Sequence, residues 1–340
     1  MAKILISNSF PTQPIVRQLP SQHGGWHRHD FAMSPFSGRV SPLQDDPTPY
    51  DAWVVYDDLL VPETRRCARN RTLLITGEPP SVRRYRPPFA KQFGNVRSSH
   101  PTMSGPKAEI THEAQPWHYG MVPCNAHHET LTYDALNAMH CPSKTKLLSV
   151  ISSNKVVTED HRQRLRFVDC LKTAFGDQVD VFGRGIRDIP DKADAIWNYK
   201  YHIVLENDHS PFYMSEKLPD GFLGWSFPFY SGGPFADGIF APGSFARIDM
   251  YRPDDSIAII RSVIQENAFE QRMELISQSR KVVLDEINLF AVISRTVDGW
   301  LAEQNTKPQP PKQSPITLWP KKRSIRLTFH RMLRAVAAVS

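Results

Sequence analysis

Residues 199–218 read YKYHIVLENDHSPFYMSEKL: an apolar run, Tyr201 to Leu205, ends in Glu206-Asn207, and after a loop holding Pro211 a second polar pair, Glu216-Lys217, follows. A run this apolar reads as a strand covered on both faces, as in a parallel sheet. Ser215 stands where an N-cap belongs, and Pro219 falls in the first helical turn, where a missing N–H is tolerated. That turn points free backbone N–H groups and Lys217 towards the carboxyl end of the strand, an arrangement that attracts anions and favours phosphate.

Similar runs recur outward from this stretch. KILIS from Lys3, AWVVYD from Ala52 and RTLLITGE from Arg71 lie in the first part; KLLSVISS from Lys146, VDVFG from Val179 and FPFYSG from Phe227 lie in the second. In the second part they alternate with helical patterns at Asp160 to Phe175, Ser215 to about Gly224, and Asp255 to Phe269. That alternation predicts crossover units and parallel sheets. With 340 residues, two α/β domains are expected, at 1–142 and 143–302, facing each other across a cleft. Ligands of such sheets bind at the carboxyl ends of the strands. Residues 79–145 read as the loop-heavy end of the first domain, and 305–320, with five prolines, as an extended spacer.

The net charge of +6 misleads if taken as a whole. Residues 301–340 hold eight Lys or Arg against Glu303, net +7, which leaves the other 300 residues at −1. The basic character therefore belongs to a tail, and no nucleic-acid partner is expected for the body. Cys67, Cys124, Cys141 and Cys170 form no CxxC pair and read as reduced thiols. His23, His27, His29 and Asp30 have metal-ligand types without a familiar spacing, as do His127-His128, so no metal is expected. The N-terminal run is too short for a signal-peptide core or a membrane span, which points to the cytoplasm. Residues 321–336, KKRSIRLTFHRMLRAV, place Ile325, Phe329, Met332 and Val336 on one stripe of a basic helix, a pattern suited to the inner face of an anionic membrane.

A second cation source lies at Arg162, Arg164 and Arg166, in the first turns of the helix after SVISSN, and two anion sites suggest a diphosphate. Taken with VDVFGRG (179–185), YKYHIVLEN (199–207), SEKLPDGFLGWSFPFYSG (215–232) and FAPGSFARIDM (240–250), the segment Lys146 to Asp249 resembles the donor-binding half of the family 10 glycosyltransferases, the α-1,3/1,4-fucosyltransferases. The resemblance implies a GT-B architecture, with GDP-fucose as donor, a glycan as acceptor and no obligatory metal. It implies Arg164 and Lys217 on the diphosphate, and Glu206, Asn207, Tyr213 and Glu216 around the nucleotide and sugar. Trp225, Phe227 and the Gly-Gly-Pro at 232–234 depart from the family pattern and put the shape of the sugar pocket, and so the exact donor, in question.

Inverting transfer needs a carboxylate to take the proton of the acceptor hydroxyl. GEPP at 77–80 resembles the family element carrying that base and implies Glu78; Glu113, in a loop with Trp117, His118 and Tyr119, is the rival. Glu113, Trp117 and His118 are candidate acceptor contacts. A contrasting reading is a non-catalytic protein held to a membrane or nucleic acid by its tail. The phosphate-facing residues lie outside that tail, which favours an enzyme.

Overall fold

The computed structural model describes residues 1–11, 13–34, 46–103, 105, 107–154, 156, 159–305 and 313–321. Of the expected basic helix at 321–336, all but Lys321 lies outside them.

Two all-parallel sheets form the body, as the alternating pattern predicts. The first contains β1 (Lys3–Asn8), β2 (Asp30–Met33), β4 (Ala52–Tyr56), β6 (Thr72–Ile75), β7 (Asn95–Ser98) and β8 (Ala108–Ile110), in the order β2-β1-β4-β6-β7-β8. The second contains β9 (Lys146–Ile151), β10 (Val179–Phe182), β11 (Tyr199–Leu205), β12 (Phe227–Ser231) and β13 (Ala246–Arg247), in the order β10-β9-β11-β12-β13. Strand side chains alternate between faces. Ile4, Ile6, Val54 and Ile75 therefore join one apolar cluster, while Leu5, Trp53, Val55 and Leu74 join another. Both faces are thus covered, which explains why these strands read as continuously apolar.

Helix α1 (Glu159–Phe175) covers the second sheet through Phe167 and Leu171, and α2 (Lys217–Leu223) covers it through Leu218 and Phe222. The chain passes between sheets more than once. Trp117, Tyr119, Tyr133 and Leu136, on the first-domain side of the expected join at 142, already pack in the core of the second sheet. Helix α3 (Leu289–Asn305), most of it within 143–302, buries Leu289, Phe290, Ile293 and Val297 against Ile4, Ile6 and Val54 of the first.

The expected spacer at 305–320 is corrected in part. Pro315–Leu318 form β14, antiparallel to β5 (Glu63–Arg66), which also pairs β3 (Asp46–Pro49). Pro315 starts this edge strand, a position where the missing N–H disturbs no ladder. The side chain of Leu318 enters the first-sheet core beside Trp53.

Phe290 is 0% exposed, with its ring 5.1 Å from Phe31 at 80°. Phe290→Ala should lower stability by about 3–5 kcal/mol, measured by urea unfolding. A loss below about 1 kcal/mol would contradict the packing of α3 on the first domain.

Candidate active site

The carboxyl edges of the two sheets meet across a polar cleft. On the second-domain side, Glu206 directly follows β11 and is 0% exposed. It accepts hydrogen bonds from Ser215 N at 2.9 Å, Ser215 Oγ at 2.7 and 2.8 Å, and Lys217 Nζ at 3.1 Å. A buried carboxylate is tolerated only when paired and bonded in this way. The glycine at 232 is dictated by the same group: a Cβ there would stand 2.7 Å from Glu206 Cγ and 2.3 Å from Tyr230 Oη. The departure at Gly232-Gly233-Pro234 thus makes room for the Glu206 corner.

Ser215 is not the N-cap residue of α2. Glu216 takes that position, and Ser215 spends its hydroxyl proton on Glu206 while accepting Lys217 N at 3.3 Å. Helix α2 has only seven residues, and Lys217 turns back to Glu206 instead of standing free.

Arg164 reaches the same corner from α1. Its side chain is 5% exposed, donates from Nη1 to Asn207 Oδ1 and from Nη2 to Ser153 O at 3.3 Å, and its buried Nε has no partner among the described residues. Arg162 and Arg166 instead face Glu159 at the surface. The register of α1 therefore sends one of the three arginines inward.

Glu216 accepts from Lys192 Nζ at 2.8 Å and faces His118 Nδ1 at 3.6 Å. Burial opposes its charge, but Lys192 and Lys217 hold its carboxyl well below the usual range. Lys192 also donates to Asp220 Oδ2 at 2.6 Å, and Asp220 Oδ1 accepts from the backbone N–H groups of His118 and Tyr119. Lys192 and Asp220 were not anticipated. Glu216 and Asp220 stand four apart, and a like-charge pair at that spacing calls for a cation between them, a signal the sequence does carry.

Across the cleft, Glu78 lies half-buried just beyond β6, its carbonyl within 2.8 Å of His100 Nε2. Glu113 is 1% exposed and accepts from Thr76 Oγ1 and Ser99 Oγ, each at 2.7 Å, and from Gln115 Nε2 at 3.2 Å. Burial pushes its carboxyl up to about 7, against the pull of those donors. Gln115 also bonds the phenol of Tyr213, linking the two domains, and Ser81 N donates to Asp208 Oδ2 at 3.1 Å in a second link. Tyr213 is 5% exposed, and burial with Glu206 and Glu216 raises its phenol well above the ordinary value. Tyr56, at the end of β4, is buried and lies in the fields of Glu113, Asp57, Glu216 and Glu78, so carboxylates from both domains converge there.

Two expectations need correction, one at Trp117 and one at Trp225 and Phe227. Trp117 is 2% exposed in the second-sheet core, with the Arg17 guanidinium 5.7 Å from its ring, and offers no face for a sugar. Tyr119 is 0% exposed, which leaves His118 as the exposed member of that trio. Trp225 and Phe227 do not narrow a sugar pocket. They lie before and at the start of β12, at the end of the sheet opposite the cleft, where Trp225 donates to Met139 O and stacks on Arg280.

A cavity of about 420 Å³ adjoins Lys192 and His118 at the carboxyl ends of β9 and β10, lined also by Ile151, Gly183, Arg184 and Ile189. Among the described residues, no helix is long and apolar enough to cross a membrane.

Two facing parallel α/β domains with a polar cleft between their carboxyl edges constitute a GT-B architecture. No family model and no curated protein matches the chain. Among solved structures, it is similar to an α1,3-fucosyltransferase at 15% identity and TM-score 0.48, covering 93% of this chain and 92% of that one. Another, described as α1,3-fucosyltransferase with GDP-fucose, gives 14% and 0.48 over 92% and 93%. The spinosyn rhamnosyltransferase SpnG gives 13% and 0.39 over 88% and 100%. None of these values carries a function across; that rests on the site.

The Glu113 carboxyl binds its proton more tightly folded than unfolded, so its contribution to stability is full below about pH 4.5 and is lost as pH rises through about 7. The loss amounts to roughly 3 kcal/mol. Glu113→Gln should flatten the stability profile between about pH 5 and pH 8 in urea unfolding. Identical pH slopes for the two proteins would refute the assignment.

Proposed function

We propose that the protein transfers a sugar from a nucleoside diphosphate sugar to a glycan hydroxyl, with GDP-fucose as donor and inversion at the anomeric carbon. The observation that carries this reading is the corner where Arg164, Asn207, Glu206, Ser215 and Lys217 form one bonded chain facing two carboxylates of the other domain. Two cations held in place, Lys217 by buried Glu206 and Arg164 by half-buried Asn207 and Ser153, are preorganised for a diphosphate whose charge grows as the sugar departs. The cavity bounded by Ile151, Gly183, Ile189 and Lys192 is of a size to take the nucleobase and ribose, beside Glu216. No metal is required for leaving-group stabilisation if Arg164 and Lys217 supply the positive charge.

Glu78 is the base in this reading. It is partly exposed at the cleft, where an acceptor hydroxyl can reach it, whereas Glu113 is sealed at 1% exposure and close to half protonated at neutral pH. Glu78 takes the acceptor proton as the oxygen attacks the anomeric carbon, and the C–O bond to the diphosphate breaks on the opposite face. Glu113, through Gln115, positions Tyr213 over the donor side. The site's place in the cytoplasm, with the tail on the inner membrane face, belongs to the same proposal.

Purified protein should release GDP from GDP-fucose in the presence of N-acetyllactosamine-type acceptors. Glu78→Gln should lower kcat by about 10²–10⁴-fold and leave GDP-fucose affinity unchanged; undiminished turnover would remove Glu78 as base. In a thermal-shift comparison of GDP, UDP and dTDP sugars, stabilisation by the GDP compounds is expected. Its absence would exclude fucose from GDP-fucose as the transferred group.

A further inference from the structure

We propose that Asp208 is a positioning residue, which reaches from the second domain to seat the turn carrying Glu78. The inference rests on the transferase reading above, with Glu78 as base, and adds to it the residue that sets where the base stands. Asp208 directly follows the Glu206-Asn207 pair, is 4% exposed, and accepts Ser81 N at its Oδ2 over 3.1 Å.

The sequence of the turn decides which backbone group can be held from outside. Pro79 and Pro80 carry no N–H, so Ser81 offers the first backbone donor after Glu78. The next two, Val82 N and Arg83 N, are both spent on Pro79 O at 3.0 Å, which closes the turn on itself. Ser81 N is left to face outward, and Asp208 meets it with an ionised acceptor, the stronger kind. Before the turn the chain is held inside the first domain: Tyr85 Oη accepts Gly77 N at 3.0 Å and itself bonds Asp57, Gln115 Nε2 donates to Gly77 O at 3.0 Å, and His100 Nε2 donates to Glu78 O at 2.8 Å. Farther on, Arg83 returns to Asp57. Between these anchors, the bond from Ser81 to Asp208 fastens the turn to the other domain.

Asp208 is itself fixed. Its Oδ1 accepts Ser210 N at 2.7 Å, a local turn that sets the direction of the other oxygen. Burial opposes the charge, but the hydroxyl and N–H bonds from Ser210 and Ser81 outweigh it and hold the carboxyl below the usual range. Three consecutive residues then bind three separate elements: Glu206 takes Ser215 and Lys217, Asn207 takes Arg164, and Asp208 takes the Glu78 turn. One short stretch of backbone thus sets both the cations for the diphosphate and the turn that carries the base. The separation of base and leaving group follows from it, and a misplacement of about 1 Å in such a pair costs on the order of 10²-fold in rate. Asp208 takes no proton in the reaction; it acts through Glu78.

The test compares wild type with Asp208→Ala, both as full chains, in three measurements: steady-state transfer from GDP-fucose to an N-acetyllactosamine-type acceptor, calorimetric titration with GDP-fucose, and hydrogen exchange read by mass spectrometry. Expected for Asp208→Ala are a fall in kcat of about 10²-fold with the Kd for GDP-fucose within about twofold of wild type. Exchange in peptides covering 77–85 should be at least about tenfold faster. Asp208→Asn keeps the size and one acceptor oxygen; it should show the same changes in smaller degree, and it serves if the alanine variant does not fold. A merely local role in the Ser210 turn predicts another pattern, weaker GDP-fucose binding and faster exchange at 206–217 with no change at 77–85. That pattern would overturn the proposal, as would an unchanged kcat in an active enzyme. Wild type without turnover would remove the transferase reading, and the exchange comparison would still decide whether Asp208 holds the turn.

Discussion

The second-domain corner of the candidate site depends on one buried carboxylate. Glu206 emerges from β11 at 0% exposure, and its charge is sustained by Ser215 and Lys217 across a nine- to eleven-residue loop. Remove those partners and the charge would face the full desolvation penalty, several kcal/mol by general estimates of unpaired buried ions. The loop therefore has little choice of conformation. Its closure brings Tyr213 to the cleft, starts α2 at Lys217, and requires glycine at 232. Asn207, the next residue, transmits the same constraint to Arg164 on a different helix.

The first domain answers this corner with carboxylates in unlike environments. Glu78 stays partly exposed, while Glu113 is sealed among Thr76, Ser99 and Gln115 and its proton affinity rises towards neutrality. Environment separates two residues of similar intrinsic acidity, and that separation is the physical basis for assigning one to proton transfer and the other to positioning. Gln115 links Glu113 to the second domain through Tyr213.

Much of this was legible in the residues. The apolar runs gave both parallel sheets because strands covered on two faces lack alternation, and the Glu-Asn and Glu-Lys pairs lie together at the carboxyl end of β11. Arg164 was singled out by the family resemblance alone; the register of α1 then turns it inward while Arg162 and Arg166 face Glu159. What stayed hidden depended on distance in sequence. The crossing of α3 back to the first sheet, the strand at Pro315–Leu318, the burial of Trp117 and the removal of Trp225 from the cleft are each set by partners over 80 residues away. Ser215 misled more locally: its hydroxyl suits an N-cap, but a buried carboxylate is the stronger acceptor.

The central claim is that the Arg164, Asn207, Glu206 and Lys217 chain is a site for a nucleoside diphosphate sugar. Calorimetric titration of GDP-fucose into wild type and into Arg164→Ala, with folding of both checked by circular dichroism, tests it most directly. The account predicts saturable binding by wild type and at least a tenfold weaker affinity in the variant. No binding by wild type, or equal affinity in both proteins, would contradict it.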